Sequence, residues 1–198
     1  MEIVFATNNP HKLEEISAML SEKIKVLGLS ELNINEEIPE DHDTLEENAS
    51  QKAMYIYDRT GRSCFADDTG LEVEALGAAP GVYSARYSRI GSLVFPELDP
   101  VEGNIKKLLL EMEGISDRKA RFRTVVSLIL DGKEHLFEGI CEGLISETPT
   151  GSEGFGYDPL FIPDGYKQSF AEMDSEEKNK ISHRGRAVEA LVQFLNKM

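Results

Sequence analysis

The hydrophobic positions near the amino terminus predict a buried strand followed by an amphipathic helix. Residues 3–6 form a short apolar run of the kind that buried strands show. The turn-rich residues 7–10 follow, and the next apolar residues recur at helical spacing: Leu13, Ile16, Met19 and Leu20. A strand that leads through a turn into a helix is typical of α/β proteins.

The next part of the chain predicts a loop, a helix and a second strand. Residues 33–43 are polar and include Pro39, which favours a loop. Thr44 and Glu47 have the spacing of a capping box, and they predict the start of a helix. The apolar face of this helix consists of Leu45, Ala49, Ala53 and Ile56. A strand is predicted over residues 64–75.

The second half of the chain predicts a helix, a long hairpin and a carboxyl-terminal helix. Asp99-Pro100 has the form of an N-cap followed by proline, and the expected apolar stripe is Val101, Ile105, Leu108, Leu109 and Met112. Strands over 120–130 and 135–146 are joined around Asp131-Gly132, a hairpin signal. A short strand is expected at 160–162, and Ser182 can cap the last helix.

Together these elements predict one α/β domain over residues 1–198, with a mixed β-sheet and flanking helices. The chain has 198 residues, of which 40% are hydrophobic and 29% charged, so a packed core is expected. The formal net charge of −15 argues against nucleic acid and anionic membranes as partners. It allows a small anionic substrate if a few cations or a metal ion are gathered locally.

The amino-terminal residues, the length of the apolar runs and the two cysteines predict a cytoplasmic protein. The first residues lack the basic start and apolar length of a secretion signal. No apolar run approaches the roughly 20 residues that a membrane-spanning helix needs. Cys64 and Cys141 have no metal-binding or redox spacing, and both lie in apolar stretches, so we expect buried free thiols.

Two segments can bind phosphate. Residues 7–12, Thr-Asn-Asn-Pro-His-Lys, join a strand to a helix, and helix amino termini attract phosphate groups. Thr and Asn also cap helices without any ligand, so capping alone is the alternative interpretation. Residues 178–188 carry two lysines, two arginines and no acidic residue, which suits a polyphosphate. A solvated basic surface is the alternative for this second segment.

The pair Asp67-Asp68 ends an apolar run and suits a hard cation, with Glu37 and Glu40 as nearby acids in the sequence. Mg²⁺ prefers one or two carboxylates together with phosphate oxygens. Acidic pairs also form caps and turns, which is the structural alternative. Because side chains alternate along a strand, the two aspartates should point to opposite faces, and periodicity alone does not say which one is functional.

The segment Gly154–Pro159, Gly-Phe-Gly-Tyr-Asp-Pro, places two aromatic residues beside conformationally permissive glycines. An aromatic ring on such a loop can stack on a nucleobase. Alternatively the segment is a tight turn whose aromatic rings fill the core. A phosphate-binding segment, carboxylates for Mg²⁺ and an aromatic loop together suggest a nucleotide as the substrate.

Six segments carry a resemblance to a known family. They are ATNNPHKLEEI at 6–16, FADDTGLEVEALG at 65–77, APGVYSARY at 79–87, GFGYDPLF at 154–161, SFAEM at 169–173 and EKNKISHRGRA at 177–187. In this order they make the chain resemble the inosine triphosphatase-like pyrophosphatases, which hydrolyse noncanonical purine nucleoside triphosphates.

The resemblance implies an enzyme that cleaves ITP, dITP and XTP between the α- and β-phosphates, giving a monophosphate and pyrophosphate. It implies dependence on Mg²⁺, a homodimer, and a role in removing deaminated purines from the nucleotide pool. It also implies an elongated mixed sheet with helical lobes on either side of a deep active-site cleft.

The resemblance assigns roles to particular residues. Asp68 is implied as metal ligand and proton acceptor, with Glu40 as a second metal ligand and Asp67 sharing the catalytic task. Substrate contacts are implied for the remaining positions that match the family's motifs: Thr7, Asn8, Asn9, Lys12, Thr69, Phe155, Gly156, Tyr157, Asp158, Lys178, Ser182, His183 and Arg184.

Two other functions remain open at this point. A Maf-like pyrophosphatase acting on modified pyrimidine nucleotides is one, and the segment SHRGRA at 182–187 argues against it. A nucleotide sensor without catalytic activity is the other, and the presence of Asp68, Lys12 and Lys178 argues against that.

Overall fold

The computed structural model describes residues 1–20 and 24–197. The strands are β1 (Glu2–Phe5), β2 (Lys25–Leu27), β3 (Cys64–Val73), β4 (Pro80–Gly81), β5 (Lys119–Leu130), β6 (Lys133–Ile145) and β7 (Phe161–Pro163). The α-helices are α1 (Pro10–Met19), α2 (Leu45–Thr60), α3 (Pro100–Glu111), α4 (Ser175–Ile181) and α5 (His183–Leu195). Among these described helices, none is long and apolar enough to cross a membrane.

The strands form the predicted mixed sheet of an α/β fold. Neighbouring strands follow the order β2-β1-β3-β5-β6-β7, and β4 pairs with β3. β1 is parallel to both β2 and β3, whereas the pairs β3–β4 and β6–β7 are antiparallel. Phe5 pairs with Phe65, so the residues that follow Phe5 lie beside those that follow Phe65. This register brings the start of α1 to the aspartate pair.

The predicted helix starts are confirmed. The side chains of Thr44, Asp99 and Ser182 each accept a hydrogen bond from a backbone N–H in the following turn, at 3.2, 2.9 and 3.0 Å. These bonds satisfy amide donors that the first turn of a helix leaves without an internal partner. The hairpin turn at Asp131-Gly132 is also confirmed, since both residues have positive φ, 48° and 76°.

Several details of the prediction are wrong. The strand β3 ends at Val73, and Ala75 lies in a 3-10 turn (Glu74–Leu76) that Gly77 terminates with a φ of 63°. Val101 is 41% exposed and does not belong to the buried side of α3. That side is formed by Gly103, Asn104, Lys107 and Leu108, and its polar members bond backbone carbonyls of residues 84–90. The elements β2 and α4 were not predicted.

The chain divides into two compact units. The first comprises residues 1–68, 124–139 and 182–198, and the second comprises residues 69–123 and 140–181. The sequence-based expectation of a single domain over residues 1–198 stays a prediction.

The first unit has an apolar core on each face of its strands. One core packs α1 and α5 against the strands, and its members include Phe5, Ile16, Phe65 and Val188. The other packs α2 against the opposite face, and its members include Ala53, Ile56, Cys64 and Ala66. Consecutive residues of β3 therefore enter different cores, as strand periodicity requires.

The second unit has its own core. It is built around the rings of Phe122, Phe161 and Phe170, whose centroids lie 4.7 to 6.1 Å apart, and Tyr157 is part of the same cluster. Offset and tilted ring pairs at such distances stabilise a core beyond the area they bury. This core supports the loop that contains the Gly154–Pro159 segment.

Candidate active site

The strand β3 places its two aspartates in different surroundings within the first unit. Asp67 lies on the face of Phe65, towards α1 and α5, and Asp68 lies on the face of Ala66, towards α2. Both residues are buried, with exposed fractions of 2% for Asp67 and 7% for Asp68. The alternation predicted from the sequence is confirmed, and each carboxylate has its own set of partners.

Asp67 is held by two cations. Its carboxylate oxygens lie 2.9 and 3.0 Å from Lys12 Nζ, and Arg184 Nε lies 3.5 Å from Oδ2. Burial by itself would raise the pKa of Asp67, but the nearby charges of Lys12 and Arg184 outweigh it and hold the pKa well below its usual range. Burial in turn lowers the pKa of Lys12. Asp67 is therefore a permanent anion that fixes both cations.

Lys12 reaches Asp67 from the first turn of α1, whose start is built as the sequence predicts. Asn9 is the N-cap, and its side chain accepts hydrogen bonds from the backbone N–H groups of His11 and Lys12 at 3.0 and 3.3 Å. Thr7 Oγ1 accepts from Asn9 N at 3.1 Å, and Asn8 Nδ2 donates to Glu36 O at 3.1 Å. The capping interpretation is confirmed, and phosphate binding by Thr7, Asn8, Asn9 and Lys12 stays a prediction.

Asp68 is held by two polar residues of α2. Lys52 Nζ lies 3.0 Å from Oδ1, and Asn48 Nδ2 donates to Oδ2 at 3.3 Å. The same Lys52 ammonium lies 2.5 Å from Glu40 Oε1. Burial raises the pKa of Asp68, and the attraction of Lys52 offsets this only in part, while Glu40 raises the pKa further. Of the two aspartates, Asp68 is the one whose pKa is raised, and its role as proton acceptor stays a prediction.

Lys52 itself is stabilised as a cation. Burial by itself would lower its pKa, but Asp68, Glu40 and Asp67 together outweigh burial and raise the pKa. Lys52 and Asn48 were not identified from the sequence. The signal that could have found them is their spacing, because they stand four residues apart, each directly before an alanine of the apolar face of α2. Two polar residues on a buried helix face require buried partners.

The carboxylates of Asp68 and Glu40 suit the implied magnesium ion. Both carboxylates contact the same ammonium nitrogen, Lys52 Nζ. The space between them therefore already accommodates a positive charge. Mg²⁺ uses one or two carboxylates and completes its coordination with water and phosphate oxygens. Within residues 1–20 and 24–197, no group of three or more His, Cys, Asp or Glu side chains is placed to hold a metal ion. Two carboxylates with phosphate oxygens remain a consistent ligand set.

The start of α5 contributes further polar side chains to the first unit. Ser182 is the N-cap, and Arg184 Nη1 lies 2.5 Å from Glu15 Oε2 in addition to its approach to Asp67. His183 and Arg184 are 3% and 2% exposed. The alternative interpretation of segment 178–188 as a solvated basic surface is wrong for Arg184, which is buried. Contacts of Ser182, His183 and Arg184 with a substrate stay predictions.

The second unit contains a separate group around the Gly154–Pro159 loop. Lys178 Nζ lies 2.8 Å from Asp158 Oδ2, and the backbone N–H of Phe155 donates to the same oxygen at 2.8 Å. The Lys178 ammonium also lies 5.1 Å from the centroid of the half-buried Phe155 ring, a distance that allows a cation–π interaction. Asp158 and Lys178 thus fix the position of Phe155.

The other predicted residues of this unit have different surroundings. Gly154 and Gly156 have φ values of 72° and 63°, which the turn requires and glycine allows. The ring of Tyr157 lies in the core, where its hydroxyl donates to Ser84 O at 3.0 Å. Tyr157 therefore fits the alternative in which an aromatic ring fills the core. Thr69 is half-buried in β3 directly after Asp68, and its contact with substrate stays a prediction.

Comparisons with known proteins show strong similarity over the whole chain. Residues 3–194 match the model of the Ham1 family. The dITP/XTP pyrophosphatase of Christiangramia forsetii is 51% identical over 197 residues, which cover 100% of both chains. The dITP/XTP pyrophosphatase of Porphyromonas gingivalis is 52% identical over 195 residues, which cover 98% of this chain and 97% of the relative.

Solved structures agree with these matches. A HAM1 protein from Coxiella burnetii superposes with a TM-score of 0.88 and 37% identity, covering 100% of both chains. The Staphylococcus aureus Ham1 protein gives a TM-score of 0.86 and 36% identity, covering 100% of this chain and 99% of the other. Identity at this level over complete chains reflects common descent. The chain belongs to the Ham1 family.

Proposed function

We propose that this protein hydrolyses dITP, ITP and XTP between the α- and β-phosphates, releases pyrophosphate, and removes deaminated purines from the nucleotide pool. The observation that carries the proposal is the identity of 51% and 52%, over nearly complete chains, with proteins named dITP/XTP pyrophosphatase. The buried acidic and basic side chains around β3 supply groups suited to this chemistry.

In this proposal Asp68 accepts the proton of the attacking water. A general base must be available to its substrate and must prefer to bind the proton. Burial raises the pKa of Asp68, whereas the cations around Asp67 hold the pKa of that residue low. Asp67 is also the less exposed of the two aspartates. We therefore assign proton transfer to Asp68, and we assign to Asp67 the positioning of Lys12 and Arg184.

In this proposal the cationic side chains bind the phosphate groups of the substrate. Lys12 is 15% exposed at its side chain and stands one turn into α1, where the helix amino terminus adds partial positive charge. The protein carries a net charge of −15, so local cations are needed to attract a polyphosphate. Thr7, Asn8 and Asn9 would add hydrogen bonds at the same helix start.

A bound Mg²⁺ would be held by Asp68 and Glu40 and would neutralise phosphate charge while making phosphorus more electrophilic. The support for this ligand pair is the convergence of the two carboxylates on a single cation, Lys52 Nζ, at 3.0 and 2.5 Å. Asn48 keeps the Asp68 carboxylate oriented through its bond to Oδ2. Orientation of a ligating carboxylate by a hydrogen bond is a common requirement of metal sites.

For the purine base we propose the group around Phe155. The ring is held from one side by the Lys178 ammonium and from the backbone by Asp158. Such a fixed aromatic ring can stack on a base with little loss of entropy. Selection of 6-oxo purines requires hydrogen-bond donors, because adenine presents an amino group there. Donation by backbone amides is our hypothesis for this selection.

The proposal is tested by one substrate panel. Pyrophosphate release with Mg²⁺ is measured for ITP, dITP, XTP, GTP, ATP and dUTP. We expect kcat/KM for the three deaminated purine nucleotides to exceed that for ATP by orders of magnitude. Preference for pyrimidine nucleotides would instead favour a Maf-like activity. Binding of ITP without pyrophosphate release would favour a nucleotide sensor.

Two further parts of the proposal rest on the family resemblance: a homodimer and a cytoplasmic location. Sedimentation equilibrium of the purified chain tests the dimer, which should have twice the mass of the 22.1 kDa monomer. Cell fractionation tests the location.

A further inference from the structure

Lys52 occupies the position between the two carboxylates that we assign to magnesium. The residue is 5% exposed, and its ammonium nitrogen lies 2.5 Å from Glu40 Oε1 and 3.0 Å from Asp68 Oδ1. Both contacts are shorter than the roughly 4 Å limit of an ion pair. A cation of this chain is therefore already paired with both predicted metal ligands.

The helix α2 fixes this arrangement. Asn48 precedes Lys52 by one turn, and its amide group closes two bonds with His42, accepting from His42 N at 2.9 Å and donating to His42 O at 3.1 Å. The same amide donates to Asp68 Oδ2 at 3.3 Å, so the other oxygen, Oδ1, faces Lys52. Because Asn48 is 1% exposed and fully bonded, the Asp68 carboxylate has little freedom to rotate.

We propose that Lys52 is a built-in counter-ion of the metal site, which Mg²⁺ must displace from Glu40 and Asp68 when it binds. This inference rests on the proposed function, because it adopts the same two carboxylates as metal ligands. Mg²⁺ binds oxygen at about 2.0–2.1 Å, and an ammonium group held at the same oxygens would lie against it. Two cations at such a distance repel strongly in a buried site.

The exchange has a consequence for substrate use. Free Mg²⁺ must overcome the two contacts of Lys52, so its affinity for the nucleotide-free protein is low. In a metal–nucleotide complex the phosphate oxygens would supply the remaining metal ligands, and they would attract the displaced Lys52 ammonium. Lys52 thereby favours the metal–nucleotide complex over the free metal, and between turnovers it offsets charge of the buried Asp68 and the partly exposed Glu40.

The first test measures metal binding without turnover. Free Mn²⁺ is titrated onto nucleotide-free protein and followed by electron paramagnetic resonance. We expect Lys52→Met to bind Mn²⁺ at least about tenfold more tightly than the wild type, which corresponds to about 1.4 kcal/mol. Lys52→Arg keeps the charge and should bind Mn²⁺ as weakly as the wild type.

A matched control distinguishes the displacement of Lys52 from the general effect of removing one positive charge. Lys12→Met also removes a buried cation beside an aspartate of β3, but its partner is Asp67. The charge of Lys12 also acts on Asp68, but its ion pair is with Asp67, so we expect a gain in Mn²⁺ affinity clearly smaller than that of Lys52→Met. An unchanged affinity of Lys52→Met, or equal gains in both variants, would overturn the proposal.

A second test uses the wild-type protein and does not depend on whether a variant folds. Lysine amines are labelled with an N-hydroxysuccinimide ester, without Mg²⁺ and at Mg²⁺ concentrations high enough to fill a weak site, and each site is followed by mass spectrometry. Mg²⁺ should increase the labelling rate of Lys52. Lys107 is 3% exposed and bonded to the carbonyls of Tyr87 and Ile90, so its labelling should not respond.

The two tests distinguish failure of this inference from failure of the proposed function. If Mg²⁺ leaves the labelling of Lys52 unchanged while the wild type releases pyrophosphate from ITP, Lys52 is not displaced and only the inference fails. If the wild type does not hydrolyse ITP, the proposed function fails even where Mn²⁺ binds more tightly to Lys52→Met.

Discussion

The sharpest prediction compares the same isosteric change at two neighbouring residues, Asp67→Asn and Asp68→Asn. Each variant replaces one carboxylate oxygen by an amide group and removes one negative charge. The surroundings of the two residues differ, because Asp67 contacts Lys12 and Arg184, whereas Asp68 contacts Lys52 and Asn48. We therefore expect Asp67→Asn to lose more stability than Asp68→Asn, and we expect Asp68→Asn to lose pyrophosphate release.

The expected loss of stability is larger for Asp67→Asn. Removing one partner of a buried ion pair leaves the other charge without compensation, at a cost of about 3–5 kcal/mol. Lys12 is partly exposed and burial already lowers its pKa, so it can lose its proton and limit the cost to about 3 kcal/mol, the lower end of that range. For a chain of this length, that lowers Tm by about 6–12 °C.

The expected loss for Asp68→Asn is small. The folded protein disfavours the charged form of Asp68, as its raised pKa indicates, so a neutral side chain relieves an unfavourable burial. Lys52 keeps an anionic partner, because Glu40 Oε1 lies 2.5 Å from its ammonium nitrogen, and the amide oxygen can still accept from Lys52. The amide nitrogen then faces the donor group of Asn48. One hydrogen bond is lost, at about 1 kcal/mol. Pyrophosphate release from ITP should fall below detection, because Asp68 is the proposed proton acceptor.

The assay has two parts. Thermal unfolding is followed by circular dichroism at pH 7.5 in EDTA, so that no metal ion stabilises either variant. Turnover of ITP is measured with Mg²⁺ at a temperature where both variants are folded. If Asp68→Asn is destabilised as much as Asp67→Asn, our account of the two environments is wrong. If Asp68→Asn retains wild-type turnover, the assignment of the proton acceptor is wrong.

Three further predictions address other parts of the molecule. Ser84→Ala should lower the free energy of unfolding, measured by urea titration, by about 1–3 kcal/mol, because Ser84 Oγ accepts from Leu71 N at 2.9 Å and donates to Gly81 O at 2.6 Å. Ser88→Ala should be nearly neutral in the same titration, because within the described residues the buried Ser88 Oγ has no hydrogen-bond partner. Equal costs for the two serines would contradict this. Burial raises the pKa of Cys64 to about 12, and a thiol ionises near 8.5 in the unfolded chain, so the wild type should lose about 2 kcal/mol relative to Cys64→Ala between pH 7.5 and 10. The wild type loses stability with rising pH because the thiol of the unfolded state releases its proton first. Parallel profiles of unfolding free energy against pH for the two proteins would refute this prediction. Phe155→Ala should raise KM for ITP by about 5- to 150-fold, the equivalent of 1–3 kcal/mol of base stacking, and an unchanged KM would remove Phe155 from the base site.

Local sequence signals predicted much of the fold. Helix starts at Thr44, Asp99 and Ser182 depend on one side chain and the next turn, so a short sequence window contains all the information. The turn at Asp131-Gly132 is similar, because its backbone conformation restricts the residue types. The strand β2 was missed because Lys25–Leu27 is too short to show a periodic pattern.

The partners of the aspartates could not be predicted in the same way. The hydrogen bonds from Lys52 and Asn48 to Asp68 span 16 and 20 residues, and Arg184 lies far from Asp67 in sequence. Helical spacing shows that Asn48 and Lys52 share a helix face. Which strand that face meets is decided by packing of the whole unit, which no local window contains.

The division of roles between the two aspartates follows from the packing of the residues that precede them. The Phe65 ring stacks on Phe5, with centroids 4.5 Å apart and planes 8° from parallel, whereas Ala66 lies in the core that α2 covers. A one-residue shift of β3 would exchange the faces of every side chain, placing a phenylalanine where only an alanine fits. The unequal sizes of Phe65 and Ala66 therefore fix the register, and the register brings Asp67 to Lys12 and Asp68 to Lys52. In this way the hydrophobic core determines which carboxylate is kept ionised and which has a raised pKa, the property on which we base the proposed proton acceptor.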